Sequence, residues 1–372
     1  MNIAILGFGT VGKGVDQIVA GLDGIEVTRI LELPDRCEGP RMTSDFEQIV
    51  GDPSIEVVLE CMGGLEPAHT FIMAALEAGK SVVTSNKAVV AAHFEEFART
   101  AEEQGVGLMI EATTGGGIPW IASIQKARRI EPVTMFSGIL NGTTNYIIDT
   151  MAKTGADFDE TLARAQELGY AERDPSADID GIDVRNKTII SASVAFGVAC
   201  TPDLPVTGMR TITKADMELF ARAGRVVKLL GHGLTRDGAY AVAVEPMALP
   251  AASLEANVPS NFNLATLEGA SIGKLKFYGQ GAGSLPTGNA MVQDVLDLAS
   301  GVRPRYELSV ELAYDPTLLA GDYVFRTTAA PEGAEPFDEG AWLVHSLTAV
   351  QARALFERIS AADPGAFMAK LV

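Results

Sequence analysis

The sequence predicts a doubly wound α/β domain at the N-terminus, then an α+β domain and a short C-terminal α+β appendage. Three observations carry this reading. Short apolar runs alternate with helical patterns over about 130 residues, as in a parallel sheet with crossover helices. A glycine-rich turn directly follows the first of these runs. From Pro132 onward the regular alternation stops. The length of 372 residues suits two or three domains, and 47% hydrophobic residues supply a large core. The expected organisation is a first domain over 1–131, completed by a helix over 284–302, a catalytic and dimerisation domain over 132–283, and the appendage over 303–372.

Taken in order, Asn2–Leu6 is an apolar strand and Thr10–Ala20 the helix after it. Glu26–Leu31 is a second strand, and the turn Gly51-Asp52-Pro53-Ser54 leads into a third over Ile55–Cys61. Helix Pro67–Ala78 is stopped by Gly79; Ser81–Thr84 is a strand, Ala91–Gln104 a helix and Gly107–Ile110 a strand. Each helix joins two strands, the economical doubly wound arrangement. The second domain reads as a strand over Thr134–Leu140 and helices over Thr144–Lys153, Asp157–Glu167, Val184–Phe196 and Lys214–Leu230. Strands follow at Tyr240–Pro246, Ala265–Glu268 and Leu275–Tyr278, then the helix Pro286–Ala299. In the appendage, Tyr306–Leu312, Tyr323–Thr328 and Trp342–Leu347 read as strands and Ala330–Gly340 as a solvated acidic loop. Thr348–Ala361 reads as a helix opened by a capping box of Thr348 and Gln351.

Charge removes several functional classes. Lys and Arg number 29 against 48 Asp and Glu, a net charge of −19. Such a surface repels phosphate backbones and anionic lipid, so neither a nucleic-acid partner nor a membrane is expected. No stretch nears the roughly 20 apolar residues of a membrane span. Cys37, Cys61 and Cys200 lie far apart, in neither a disulfide framework nor a zinc pattern, which suits a reducing compartment. With Met1 leading straight into a strand, a cytoplasmic location is expected. His69, His93, His232 and His345 show no ligand spacing, and none is assigned to chemistry.

Gly7-Phe8-Gly9-Thr10-Val11-Gly12 fits G-x-G-x-x-G between a strand and a helix. Gly7 permits the tight turn, Gly9 lets a pyrophosphate approach the backbone, and Gly12 lets the helix pack on the strand. The helix N-terminus then offers unpaired N–H groups to phosphate. Gly7, Gly9, Thr10, Val11 and Gly12 are the expected contacts of a dinucleotide in a Rossmann domain; the alternative is a purely structural turn. Glu32 follows Gly12 by about 20 residues, where a carboxylate accepts hydrogen bonds from a ribose 2′-hydroxyl and favours NAD. Arg36 suits a 2′-phosphate instead, so the choice between NAD and NADP stays open.

Glu172, Arg173, Asp174, Asp178, Asp180, Asp183, Arg185 and Lys187 crowd one stretch whose first part, Gly169–Gly181, is turn-rich. Asp183 and Lys187, four apart at a helix start, share one face. A surface ion pair is the plain reading. The functional one is an amino-acid substrate, whose ammonium needs carboxylates and whose carbonyl needs a proton donor. Lys87, in Ser85-Asn86-Lys87, follows a strand at the carboxyl end of the sheet, where ligands bind. Glu111 precedes a glycine-rich loop running to Ile118, whose backbone carbonyls suit a hard monovalent cation; a turn with an exposed glutamate is the alternative.

Six segments together resemble homoserine dehydrogenase: Gly7–Gly12, Ser85–Ala88, Glu111–Pro119, Gly138–Tyr146, Leu168–Glu172 running on to Lys187, and Tyr278–Gly283. They span roughly residues 1–300 in the right order. The resemblance implies NAD(P)-dependent interconversion of L-aspartate 4-semialdehyde and L-homoserine, on the route to threonine, isoleucine and methionine, by a homodimer formed through the second domain's sheet. It implies Lys187 as catalytic acid/base with Lys87 near the nicotinamide end and the substrate. Glu172 and Asp183 would bind the substrate's amino and hydroxyl groups, Asp178 would support them, and Thr84, Ser85 and Gly283 would lie beside the cofactor. Sodium would be held by Glu111 and the carbonyls of Thr114, Gly116 and Ile118. Many members carry a C-terminal amino-acid-sensing domain of ferredoxin-like form. Residues 303–372 are too short for it and show one clear helix, so a structural cap or dimer element is expected rather than threonine feedback. Two alternatives remain: a dehydrogenase of another small hydroxy amino acid, and a nucleotide-sensing relative without catalysis. The presence of Lys87, Glu172, Asp183 and Lys187 together argues against the sensor.

Overall fold

The computed structural model describes residues 1–372, and the chain divides into two compact units. The first takes residues 1–126, 197–202 and 280–310; the second takes 127–196, 203–279 and 311–372.

The first unit is built on six parallel strands: β1 (Asn2–Leu6), β2 (Glu26–Leu31), β3 (Met42–Thr43), β4 (Ile55–Glu60), β5 (Ser81–Thr84) and β6 (Leu108–Met109). Their order is β3-β2-β1-β4-β5-β6, so the order reverses between β1 and β4, the switch point where such sheets bind ligands. Consecutive residues Ile3, Ala4, Ile5 and Leu6 of β1 and Val57, Val58 and Leu59 of β4 are all buried, as expected when helices cover both faces. The connections are α1 (Thr10–Val19), α2 (Glu47–Val50), α3 (Ala68–Glu77) and α4 (Lys87–Gln104), with α5 (Trp120–Arg128) after β6. β3 and α2 are too short to show a period in sequence. α4 begins at Lys87 rather than Ala91 because the Asn86 carboxamide oxygen accepts the Val89 N–H at 3.3 Å and caps the helix. Lys87 therefore sits in a first helical turn, not in a loop.

The second unit opens with β7 (Val133–Ile139), α6 (Gly142–Thr154), α7 (Phe158–Glu167), α8 (Ser176–Ile179) and α9 (Ile182–Phe196). α9 is buried around nearly its whole circumference, polar residues included, and only Ile182 and Arg185 escape full burial. Then come α10 (Lys214–Arg222), β8 (Arg225–Arg236), β9 (Ala239–Pro250), β10 (Phe262–Gly269) and β11 (Gly273–Gln280). The helix expected over Lys214–Leu230 thus stops at Arg222. Gly224 adopts a φ of 69°, ending the helix, and Val226 and Val227 start a strand in which β-branched side chains pack well.

α11 (Ser284–Ala299) belongs to the first unit. A Cβ on Gly14 would lie 2.3 Å from the Ser284 carbonyl oxygen, so α1 and α11 meet backbone to backbone. The Ser284 hydroxyl donates to the Thr10 carbonyl at 2.7 Å. Residues 306–312, expected as a strand, form only an isolated bridge between Ser309 and Val198, because no neighbouring strand runs alongside. The Tyr306 hydroxyl instead donates to the Leu108 carbonyl at 3.2 Å.

The C-terminal residues supply β12 (Ala313–Tyr314), β13 (Gly321–Arg326), β14 (Glu335–Asp338), β15 (Ala341–Leu347), α12 (Ala349–Ala362) and β16 (Phe367–Leu371). They complete a mixed ten-stranded sheet in the order β11-β10-β7-β8-β9-β16-β13-β15-β14, with β12 beside β9. β16 runs parallel to β9 and antiparallel to β13, so residues 311–372 extend the second unit's sheet. The acidic loop over 330–340 contains β14, whose Asp338 accepts two hydrogen bonds from Arg222 at 3.0 and 2.8 Å. α12 carries the expected box: Thr348 Oγ1 accepts the Gln351 N–H at 3.1 Å and Gln351 Oε1 accepts the Thr348 N–H at 2.9 Å.

Lys228, 1% exposed on β8, donates to Asn145 Oδ1 at 2.8 Å and the Val258 carbonyl at 2.9 Å. Burial lowers its pKa from 10.5 to about 8. Below pH 8 both folded and unfolded chains hold the proton. Between about pH 8 and 10.5 only the unfolded chain still does, so the lysine adds stability as pH rises through that window. The difference in urea midpoint between the parent chain and Lys228→Met is expected to shift in the parent's favour from pH 8 to 10; a pH-independent difference rejects this.

Candidate active site

The glycine turn lies at the C-terminal end of β1. Gly7 has a φ of 89°, and a Cβ on Gly12 would fall 2.2 Å from the Gly7 carbonyl oxygen. At Gly9, a Cβ would meet nothing within 4 Å. The turn is therefore closed by backbone on the protein side and open at Gly9, the shape a pyrophosphate needs at a helix N-terminus. Thr10 is exposed and Val11 half-buried at the start of α1. Glu32, just past β2, accepts the Leu33 N–H and the Phe8 N–H, each at 3.0 Å. The Leu33 N–H, helped by that of Phe8 and by the Arg36 charge, holds its carboxyl below the ordinary range against the effect of burial. A carboxylate tied to the glycine turn at this point suits a ribose hydroxyl.

A second group of residues lies at the ends of β4 and β5. The fully buried Glu60 accepts the Thr84 hydroxyl at 2.6 Å, the Met62 N–H at 2.8 Å and the Asn86 carboxamide at 3.4 Å. Burial raises its pKa, and these donors oppose the rise. Asn86 also donates to the Gly64 carbonyl at 2.7 Å. Glu60 thus anchors the turn that carries Ser85 and Lys87, both half-buried, while the Thr84 hydroxyl is spent inside the protein. Sequence reasoning passed over Glu60; the available signal was a carboxylate ending the apolar strand Val57-Val58-Leu59.

Glu111 is buried, not exposed on a turn. Its carboxylate accepts the N–H groups of Ile121 and Ala122 at 2.9 and 2.7 Å, the first turn of α5, and burial raises its pKa to about 7. Its own N–H donates to Asp294 of α11 at 3.2 Å. The loop after it packs closely: a Cβ on Gly116 would lie 2.5 Å from the Gly281 carbonyl carbon, two residues before Gly283, the N-cap of α11. The Ile118 carbonyl accepts the Trp120 N–H at 2.8 Å. Thr114 is completely buried, and its hydroxyl has no hydrogen-bond partner. The Glu111 carboxylate, the loop's carbonyls and the orphaned Thr114 hydroxyl are all oxygen donors, the type a hard cation takes.

In the second unit, α9 and the turn after β7 build a buried polar cluster. Lys187 Nζ donates to the Leu140 carbonyl at 2.6 Å and to Asp183 Oδ2 at 2.7 Å. The Asn141 carboxamide donates to Asp183 Oδ2 at 2.8 Å and Asp178 Oδ1 at 2.7 Å, while its oxygen caps α6 through the Thr144 N–H at 2.8 Å. Lys187 is 7% and Asp183 8% exposed, so this is no surface ion pair. Burial, then the neighbouring Asp183 charge, raises the Asp178 pKa. Asp178, Asp183 and Lys187 thus come together, joined by Asn141, to which sequence reasoning gave no individual role. Glu172 is exposed on the preceding turn, and its carboxylate takes no part in these bonds. An ammonium with two of its three N–H groups committed retains a third for an incoming oxygen.

A parallel sheet with a glycine turn at its switch point is the architecture of a dinucleotide-binding domain, and the second unit adds a buried lysine held by one carboxylate, that of Asp183, the pairing expected of a nicotinamide-dependent oxidoreductase. Residues 7–111 match the model of the homoserine dehydrogenase NAD-binding domain and residues 119–296 that of homoserine dehydrogenase itself. The chain belongs to the homoserine dehydrogenase family, NAD(P)-dependent enzymes that interconvert L-aspartate 4-semialdehyde and L-homoserine. It is 40% identical over 316 residues to a homoserine dehydrogenase of Synechocystis sp., covering 80% of this chain and 73% of that one. Against the Corynebacterium glutamicum enzyme the identity is 38%, covering 80% and 72%. Its fold superposes on a crystal structure of homoserine dehydrogenase from Thiobacillus denitrificans with a TM-score of 0.89 at 29% identity, covering 100% and 98% of the two chains. It also matches a hyperthermophilic archaeal homoserine dehydrogenase in complex with NADPH, at a TM-score of 0.70 and 25% identity, covering 82% and 99%.

Proposed function

We propose that Lys187 is the proton donor to the aldehyde oxygen during reduction of L-aspartate 4-semialdehyde, and the acceptor in the reverse direction. The observation that carries this is the buried Asn141–Asp183–Lys187 cluster, which holds one ammonium in a fixed position with a donor to spare. The nicotinamide supplies the hydride. Asp183, Asp178 and Glu172 orient the substrate through its amino and hydroxyl groups. Lys87, at the start of α4, lies at the reacting end. Gly7, Gly9, Thr10, Val11, Gly12, Glu32, Thr84, Ser85 and Gly283 form the cofactor's surroundings. The enzyme serves threonine, isoleucine and methionine synthesis in the cytoplasm; no helix in the chain is long and apolar enough to cross a membrane. It acts as a homodimer through the second unit's sheet, whose edge strand β11 leaves Leu275 and Tyr278 exposed. The test is oxidation of NADH or NADPH on adding L-aspartate 4-semialdehyde. Absence of turnover with both nucleotides rejects the reading.

Glu32 decides the cofactor. Glu32→Ala is expected to reduce use of NADH roughly 10- to 100-fold, the worth of a hydrogen bond to a charged group, and to reduce use of NADPH less. A carboxylate there repels a 2′-phosphate, which sets the direction. Equal losses in kcat/KM for both nucleotides would leave the choice to Arg36 or the backbone.

Sodium is held by Glu111 and the carbonyls of Thr114, Gly116 and Ile118. Glu111→Gln keeps one acceptor for α5 but loses the charge, so the sodium concentration giving half-maximal activity is expected to rise about tenfold. A sodium-dependent increase in Tm should weaken in parallel. If both sodium curves match those of the parent, the loop is purely structural.

A further inference from the structure

The histidines at positions 69 and 93 show no spacing in sequence, yet the fold brings them together. His69 lies in the first turn of α3, and His93 and Glu96 lie three residues apart on α4. His69 Nε2 is 2.9 Å from Glu96 Oε2, and His93 Nδ1 is 3.4 Å from that same oxygen. One ligating atom from each of the three residues lies within 4.8 Å of the others. Both rings rest on the buried Phe97, with centroids 5.6 and 5.9 Å from its own, and their centroids are 4.2 Å apart. The three side chains are 23%, 34% and 39% exposed, so an ion from solvent can reach them.

We propose that His69, His93 and Glu96 form a binding site for a first-row divalent transition ion of the zinc type, separate from the dehydrogenase machinery. Bonds of about 2.0–2.1 Å in a tetrahedron place ligand atoms roughly 3.3–3.4 Å apart. The His93–Glu96 separation already has that value, and the His69–Glu96 pair opens by about half an ångström, a small rotamer adjustment. Water fills the fourth position, as in other sites with three protein ligands. Two imidazole nitrogens select zinc, cobalt, nickel or copper over calcium and magnesium, which take oxygen.

Two features beyond the three ligands support the site. Glu66 Oε1 lies 3.3 Å from His69 Nδ1, the ring nitrogen that faces away from Glu96. Its other oxygen is fixed by the Thr70 hydroxyl at 2.8 Å. A carboxylate that orients the far nitrogen of a ligating histidine is the usual outer partner of a zinc site. In addition, α4 departs from helical geometry at His93 itself, with φ −132° and ψ 19°. An ion bound there fixes the break between residues 87–92, which begin with Lys87, and the rest of α4, and it staples α4 to α3.

The experiment uses the full-length, tag-free protein stripped of metal by a chelator. It is titrated with Zn²⁺ by calorimetry and with Co²⁺ by visible absorption. The expected result is one saturable high-affinity ion per chain, a four-coordinate Co²⁺ spectrum, and a Zn²⁺-dependent rise in Tm that Ca²⁺ and Mg²⁺ do not reproduce. His69→Ala, His93→Ala and Glu96→Gln should each abolish all three signals. Glu66→Gln should weaken binding roughly 10- to 100-fold, the usual cost of losing an outer partner. Unchanged NADPH affinity shows that each variant is folded; if one is not, the remaining variants carry the test. The proposal is overturned if the intact chain binds no Zn²⁺ saturably, or if the Zn²⁺ isotherm survives in a folded His69→Ala, His93→Ala or Glu96→Gln chain.

Discussion

Replacing Lys187 with alanine is expected to lower kcat by a factor on the order of 10²–10⁴, the usual contribution of a positioned general acid. Hydride delivery leaves negative charge on the former aldehyde oxygen, and in the proposed mechanism Nζ neutralises it. The ammonium is fixed by Leu140 and Asp183 at 2.6 and 2.7 Å, so little freedom is lost when the substrate arrives. Nucleotide affinity should stay near that of the parent, because the glycine turn belongs to the first unit and Lys187 to the second. A loss concentrated in kcat, with KM little changed, separates proton transfer from substrate binding. Lys87 is the rival donor. If Lys187→Ala keeps nearly full kcat while Lys87→Ala loses it, the acid/base role belongs to Lys87.

Glu245→Ala is expected to cost about 3–5 kcal/mol of stability, the range for leaving a buried charged partner uncompensated. Glu245 is 2% exposed on β9. Its carboxylate bonds to His232 Nε2 on β8 at 2.9 Å and accepts the Tyr323 hydroxyl on β13 at 2.9 Å; Lys370 Nζ on β16 is 3.5 Å away. Burial alone would raise its pKa, but His232, Lys370 and Tyr323 outweigh that and hold the carboxyl below its ordinary value. One carboxylate therefore meets polar groups from three other strands of the sheet, the adjacent β8 and β16 and, beyond β16, β13. Tyr323→Phe removes only one partner and should cost about 1 kcal/mol. Urea midpoints for the two variants check this. A loss under 1 kcal/mol for Glu245→Ala would show that the neighbours find other partners.

Much of the nucleotide-binding half could be read from the sequence because its signals are local. The Gly7–Gly12 turn, the apolar runs of β1, β4 and β5, and the stop at Gly79 each depend on residues within one turn or strand of one another. Local patterns failed where two states share a composition. Arg225–Leu230 continues the apolar character of α10, and only pairing with β9 makes it a strand. The same limit hid β16, which exists because β9 and β13 lie on either side of it.

Within the candidate site, the sequence alone determined which residue types are present and that Asp183 and Lys187 share a helix face. Burial of that pair, which separates a functional cluster from a surface ion pair, was decided by the packing of α9 in the second unit. Tertiary structure also brought Asn141 between Asp178 and Asp183, set Glu60 beneath Asn86, and paired His69 with His93 across two helices. The physical reason is the same in each case. Helical and strand periods report contacts a few residues apart, whereas burial and long-range hydrogen bonds arise only once distant segments have docked.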